Sequence, residues 1–387
     1  MKLTIGNPVK GDDFFDREAE QRRAWRQLET DNVLMLAPRR IGKTSLILRL
    51  CETAQQHGFY AVHCSFAGCA SERDCVRELF KALHALHSIG QKNAELFARI
   101  KSIKLGSFGC EWHDDAADNW RQAGEEIARA LSASADNWLV CIDELPVFVV
   151  KLLQLGEAGR QRARTFLYWL RDLRQANFER VRWLLAGSVG LDTVAARLRV
   201  ADAINDLPPF PLDAFSEDCA RRFLDTLSAS YAMPLSPVVR DYIVDRIGWP
   251  VPYYLQLIFS HLRDTFADHG QIPDTAAVDG AFAKLLGPGY RGHFDYWRQR
   301  LDDELGQPEA TQAMRLLGRL CADRRGLDAT ALGQILRAVM ADDSERDRRL
   351  AYLLRVLEGD GYLLRQGERY AFRLEWLRLF WQREYAA

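Results

Sequence analysis

The chain has no apolar run approaching the roughly 20 residues that a membrane-spanning helix needs. Its first residues, Met1-Lys2-Leu3-Thr4-Ile5-Gly6-Asn7-Pro8, lack the long apolar core of a signal peptide. There is no cysteine framework either: eight cysteines are scattered over 387 residues, which excludes a small disulfide-stapled scaffold. Together these absences lead us to expect a protein of the reducing cytoplasm with no membrane partner. Net charge is also missing, since 52 basic residues stand against 53 acidic ones. A protein that coats nucleic acid by charge alone is more basic, although neutrality overall leaves room for a local patch. No lysine follows Lys284, so the basic residues of the C-terminal part are all arginine. There is no internal repeat and no low-complexity tract, which excludes a solenoid or a sticky tail.

What is present is ample material for burial, with 48% hydrophobic and 27% charged residues. The length predicts two or three domains rather than one core. The organising stretch is Asn32 to Ile47. Val33 to Ala37 is an apolar run of the kind that forms a buried parallel strand. A polar turn, Pro38-Arg39-Arg40-Ile41-Gly42, is followed by Lys43-Thr44-Ser45 and a helix whose Ile47, Leu50, Cys51 and Ala54 share one face. Gly58 marks its expected end. Strand, short loop, Gly-Lys-Thr and helix is the layout of a phosphate-binding loop. The loop Pro38 to Ser45, through the backbone N–H groups of Arg39 onward, and the helix N-terminus would face the phosphates of a nucleotide. Lys43 would reach the β- and γ-oxygens, and Thr44 would place its hydroxyl on Mg2+. Ala37 replaces the motif's first glycine; it ends a strand, where φ is expected to be negative.

Upstream, Gly11 to Glu20 holds two aromatics and an acidic–basic pair, which would either cap an adenine or begin a helix against the sheet edge. Downstream, Gly58 to Phe66 reads as a second strand, followed by a helix capped by Ser71. His63, Cys64, Cys69 and Cys75 do not have paired metal-ligand spacing and read as structural residues. An irregular, glycine-bearing excursion is expected from Ser88 to His113. Trp138 to Ile142 is then a buried strand that delivers Asp143 and Glu144 to the C-terminal sheet edge. In a protein with a phosphate loop, Asp143 would hold Mg2+ and Glu144 would orient and deprotonate the attacking water. A helix over 160–177 and a fourth strand, Arg182 to Ser188, complete the pattern. Ser188, ending beside the two motif strands, is a candidate sensor of the γ-phosphate, against a plain turn serine. Arg197 and Arg199 are either surface residues or stabilisers of developing phosphate charge.

The proline-rich Asn205 to Asp213 is a domain boundary signal. We therefore expect a core over 1–212, an α-helical lid over 213–290 and a winged helix over 291–387. In the last, helical stripes lead to Gly359-Asp360-Gly361 and to two short strands around Gln366-Gly367-Glu368. Its third helix and flank, Asp342 to Asp360, carries four arginines against six acidic residues. Phosphate contact by that face would be opposed by its own charge. DNA thus remains a possible partner, with a protein-facing or intramolecular clamp preferred.

These features together resemble the archaeal-type ATPases, a group within the STAND branch of P-loop NTPases related to AAA+ proteins. The resemblance rests on Phe15-Asp16-Arg17-Glu18, Pro38-Arg39-Arg40-Ile41-Gly42-Lys43-Thr44-Ser45-Leu46, Ile142-Asp143-Glu144-Leu145-Pro146, Gly187-Ser188, Pro252-Tyr253-Tyr254-Leu255-Gln256-Leu257 and the Gly361-to-Arg373 hairpin. It covers nearly the whole chain. It implies an α/β fold: an AAA+/ASCE-like P-loop NTPase core with five parallel strands, an α-helical lid and a C-terminal winged helix. It implies ATP and Mg2+ as ligands and ATP hydrolysis serving a conformational switch, with Pro252 near the base or phosphates. A protein partner, and oligomerisation on ATP binding, would go with such a switch. Related proteins in defence, mobile-element biology or DNA loading supply the wider settings. Where the family usually has a Gly-Gly pair before that proline, this chain has Gly248-Trp249-Pro250.

Overall fold

The structure, a computed structural model, describes residues 1–88, 119–176, 179–187 and 190–386. The excursion expected after Ser88 and the sensor candidate Ser188 lie outside the described residues. The chain forms two compact units, one of residues 17–36 and 43–212, the other of residues 1–16, 37–42 and 213–387.

The first unit alternates helices and strands: α1 (Glu18–Thr30), β1 (Val33–Leu36), α2 (Lys43–Thr53), β2 (Phe59–Ser65), α3 (Glu72–Ser88), α4 (Asn119–Ser132), β3 (Asn137–Asp143), α5 (Leu145–Leu153), α6 (Gly156–Ala176), β4 (Val181–Gly187) and α7 (Leu191–Leu198). The strands form one parallel sheet in the order β1-β4-β3-β2. A parallel neighbour demands a crossover, and helices between the strands supply it. Residues 138–143 of β3 are all buried, which is why that strand reads as an unbroken apolar run rather than an alternating one. Helix α3 begins with reciprocal capping: Asp74 N–H donates to Ser71 Oγ at 3.2 Å, while Ser71 N–H donates to Asp74 Oδ2 at 3.0 Å.

Two features differ from expectation. The resemblance implied five strands, and among the described residues four pair into the parallel sheet. Beyond them, β1 makes a single parallel bridge between Leu34 and Pro209, with Leu34 N–H donating to Pro208 O and Phe210 N–H to Leu34 O. Pro208, Pro209 and Pro211 have no N–H to extend the ladder. The other is α5, which the sequence reading passed over. Its Leu145-Pro146-Val147-Phe148-Val149-Val150 run is β-branched and apolar, so strand and helix patterns cannot be told apart there. The proline at its start is well placed for a first helical turn.

In the second unit, four helices come first: α8 (Glu217–Ser230), α9 (Pro237–Ile247), α10 (Pro252–His269) and α11 (Thr275–Leu285). Ser216, Ser236 and Asp274 cap α8, α9 and α11 through their side chains. Next come α12 (Gly292–Leu305), α13 (Glu309–Leu320), β5 (Leu327–Asp328), α14 (Ala329–Arg337), α15 (Asp343–Gly359), β6 (Leu363–Gln366), β7 (Arg369–Phe372) and α16 (Glu375–Tyr385). The three strands make an antiparallel sheet in the order β5-β7-β6. The hairpin signal is met by a two-residue turn, Gly367-Glu368, with Gly367 at φ +63°. Trp297, Tyr362, Trp376 and Trp381 are fully buried here. The Trp376 ring stacks on Phe282 of α11 at 4.0 Å between centroids, so α16 packs against the helices that open this unit. Among the described residues no helix is long and apolar enough to cross a membrane.

Candidate functional site

β1 ends at Leu36, Ala37 is buried, and the chain then bends through two left-handed residues, Arg40 (φ +68°) and Gly42 (φ +105°), before α2 starts at Lys43. Ala37 is not among the positive-φ residues, so its methyl group costs no strain in the place of the usual glycine. Gly42 does need its lack of a Cβ, because φ +105° is closed to other residues. The first N–H groups of a helix have no acceptor within it, and those of α2 follow directly on this bend.

Within the first unit, α2 and β3 are joined. Thr44 Oγ1 donates to Asp143 Oδ2 at 2.6 Å, and Lys43, only 5% exposed, lies close enough for its charge to act on the same carboxylate. Burial pushes the Asp143 pKa up. The His63 imidazole, the Thr44 hydroxyl and the Lys43 ammonium outweigh that, so its carboxyl sits below the usual range and stays ionised at neutral pH. Asp143 Oδ1 also accepts from the N–H of Glu144 at 2.9 Å. Glu144 itself adopts φ +55° and caps α5. A non-glycine residue in that region is strained, and such outliers concentrate at functional sites.

Sequence reasoning weighed His63 only as a metal ligand and set it aside. The structure puts its Nε2 4.0 Å from Asp143 Oδ2, too long for a hydrogen bond and close enough for attraction in the protonated form of the imidazole. Nε2 is buried and has no hydrogen-bond partner. The signal that finds it is register: β2 pairs with β3 so that His63 lies opposite Cys141 and Ser65 opposite Asp143. Cys64, Cys69 and Cys75 are buried free thiols. Among the described residues no group of three or more His, Cys, Asp or Glu is arranged to hold a metal ion.

The remaining sequence candidates are dispersed. Arg197 lies in α7, and Arg199 ends that helix at φ +55°. Pro252 opens α10. The Arg39 guanidinium lies over the Tyr296 ring at 4.3 Å and that of Arg40 over Tyr253 at 3.8 Å. Phe15 packs edge-on against Phe223, with ring centroids 5.2 Å apart. Trp249 donates Nε1–H to Asp213 Oδ1 at 3.0 Å and lies beneath Arg373 at 4.3 Å.

No family model matches the chain, and no curated protein matches it. Among solved structures, the Walker-type ATPase PABY2304 of Pyrococcus abyssi aligns with a TM-score of 0.62 and 15% identity, covering 98% of this chain and 99% of that one. Looser alignments, each at a TM-score of 0.43 and 14% identity, are with ORC1 of Aeropyrum pernix in complex with DNA and the Thermotoga maritima RuvB Holliday junction branch migration motor. The first covers 97% of this chain and 94% of that one, the second 94% of each. The chain has the α/β fold of P-loop ATPases.

Proposed function

We propose that the chain binds ATP and hydrolyses it slowly as a nucleotide-driven conformational switch, of the kind found in the STAND branch related to AAA+ proteins. The observation that carries this reading is the 2.6 Å hydrogen bond from Thr44 to Asp143 beside the buried Lys43. It ties a phosphate loop to a carboxylate at a sheet edge, which is the minimum apparatus for phosphoryl transfer. The loop's N–H groups, with Gly42, Lys43, Thr44 and Ser45, would hold the β- and γ-phosphates. The oxygens of Thr44 and Asp143 form a hard-donor pair suited to Mg2+ in company with phosphate oxygens. When bound, that ion neutralises charge on the phosphates. Glu144 would orient water and take its proton. Ser188, following Gly187 at the end of β4, is the proposed γ-phosphate sensor.

Arg197 and Arg199 are candidates for stabilising developing charge, and Pro252 for a contact to base or phosphate. To swing a switch from about 1:99 to about 99:1, ATP must favour one state by roughly 5.5 kcal/mol. We read 213–290 as the lid and 291–387 as a winged helix that responds to the nucleotide through a protein-facing or intramolecular contact, with self-association on ATP binding among the outcomes to measure. DNA binding is the lesser reading. Arg373 is paired with Asp213 at 2.6 Å, and Arg369 donates to Gly326 O at 3.1 Å, so these wing arginines are already engaged within the chain. The test is Mg2+-dependent ATP binding and turnover by the purified protein, alone and with DNA. Lys43→Ala should abolish both; if binding and turnover survive that change, the reading is wrong.

A further inference from the structure

Three consecutive residues of the phosphate loop are each held by the same compact unit. Pro38 packs against Gly361 so closely that a Cβ there would lie 2.9 Å from Pro38 Cγ and 2.9 Å from the Trp249 ring. Arg39 covers Tyr296 of α12, and Arg40 covers Tyr253 of α10. These contacts close on one another. The Tyr296 hydroxyl accepts from Arg300 Nη1 at 3.3 Å, and Arg300 bonds Glu304 at 2.6 Å and lies 3.4 Å from Asp360. Asp360 precedes Gly361, which returns to Pro38. The circuit therefore begins and ends on neighbouring loop residues and includes the turn between α15 and β6.

Arg40 is the strained point of the loop. A left-handed non-glycine residue persists only where its surroundings over-determine it, and the immediate surrounding is the Tyr253 ring, 5% exposed. Alternation of left- and right-handed residues is what turns successive N–H groups inward to make an anion-binding concavity. We propose that Tyr253 and Tyr296 are positioning residues for the phosphate loop. By stacking on Arg40 and Arg39 they fix the bend that presents the loop's N–H groups to phosphate, and thereby link the loop's occupancy to α10 and α12. The inference rests on the nucleotide reading above and adds to it the residues that shape the loop. Linkage is reciprocal, so nucleotide binding must in turn steady these two helices.

The experiment is calorimetric titration of the full chain with Mg2+-ADP, alongside steady-state ATP turnover. Tyr253→Leu should weaken ADP binding about tenfold, the loss expected when one well-placed cation–π contact of about 1.4 kcal/mol is removed. Turnover at saturating ATP should change by less than about threefold, because chemistry at Asp143 and Glu144 is untouched. Tyr253→Phe, which keeps the ring, should recover most of the affinity. Where Tyr253→Leu lowers the yield of folded protein, the loop itself gives the answer. Arg40→Met should bind ADP about tenfold more weakly, whereas Arg40→Gly, at ease at positive φ, should bind close to wild type. If Arg40→Met and Arg40→Gly are equally weak, Arg40 acts on phosphate by its charge and the inference is overturned. It is also overturned if Arg40→Met binds as wild type does. Lys43→Ala separates the two ideas. Wild-type binding lost in Lys43→Ala but kept in Arg40→Met sinks the positioning role alone, whereas no wild-type binding sinks the nucleotide reading with it.

Discussion

The hydroxyl of Thr44 and the carboxylate of Asp143 meet at 2.6 Å, although they come from the start of α2 and the end of β3. In the proposed reading the two would hold a divalent ion together, since both supply oxygen donors and the neighbours of Asp143 keep its carboxyl below the usual range. Asp143→Ala should lower ATP turnover at least about a hundredfold, the effect of losing several kcal/mol of charge stabilisation at the transferring phosphoryl group. Thr44→Ala should raise the Mg2+ concentration needed for half-maximal turnover. A Mg2+ titration of the two variants checks both outcomes, and an unchanged Mg2+ requirement would remove the pair from the metal site.

Glu144 is expected to separate binding from chemistry. Glu144→Gln keeps the side-chain shape and the cap position but cannot accept a proton, so ATP should bind at near wild-type affinity while turnover falls by about 10²–10⁴-fold. Single-turnover measurement with radiolabelled ATP reads the chemical step directly. The φ of +55° adds a second expectation. Glu144→Gly should be equally inactive yet fold with a stability within about 1 kcal/mol of wild type, because relief of backbone strain offsets the greater freedom of the unfolded glycine.

The cap of α3 supplies a pH dependence whose sign is fixed. Partial burial pushes the Asp74 pKa up, but the Ser71 hydroxyl, the N–H groups of Ala70 and Ser71, and Arg77 outweigh it, so the folded-state value lies below the ordinary one. A depressed carboxyl contributes stability above its unfolded pKa and loses it as pH falls through the folded one. At pH 7 Asp74→Ala should cost about 1–2 kcal/mol. That difference should shrink steadily below about pH 4, where the unfolded carboxyl begins to take up its proton. Urea unfolding of both proteins across that range is the measurement, and a gap that widens toward acid would contradict the assignment.

Much of the architecture is legible in the sequence because the signals are local. Val33–Leu36 and Trp138–Asp143 are apolar runs with polar ends, and Ser216 announces α8 by its own side chain. What escapes is whatever depends on partners distant in the chain. His63 comes near Asp143 only through the β2–β3 register, which no window of sequence contains. The stacking of Arg39 and Arg40 on Tyr296 and Tyr253 joins segments more than 200 residues apart. The 208–211 segment is a different case: its three prolines signal a domain exit, and their missing N–H groups also explain why its pairing with β1 stops at one bridge. Strand β5, two residues long, is too short to leave any periodicity.

Gly187 gives the last test, because its role is decided by distance rather than by backbone freedom. A Cβ built there would lie 2.2 Å from Cδ and 2.6 Å from Cγ of Pro146. The proline ring cannot swing away as a flexible side chain would, and it forms the first turn of α5, directly after Glu144. Relief must therefore come from moving α5 or the end of β4. Gly187→Ala should destabilise the protein by about 1–3 kcal/mol, the usual cost of overpacking, and should also lower turnover, since the shifted turn carries Glu144 with it. Thermal unfolding and ATPase assay on the same preparation read the two effects together. A variant as stable and as active as wild type would mean that β4 and α5 do not approach as closely as this structure places them.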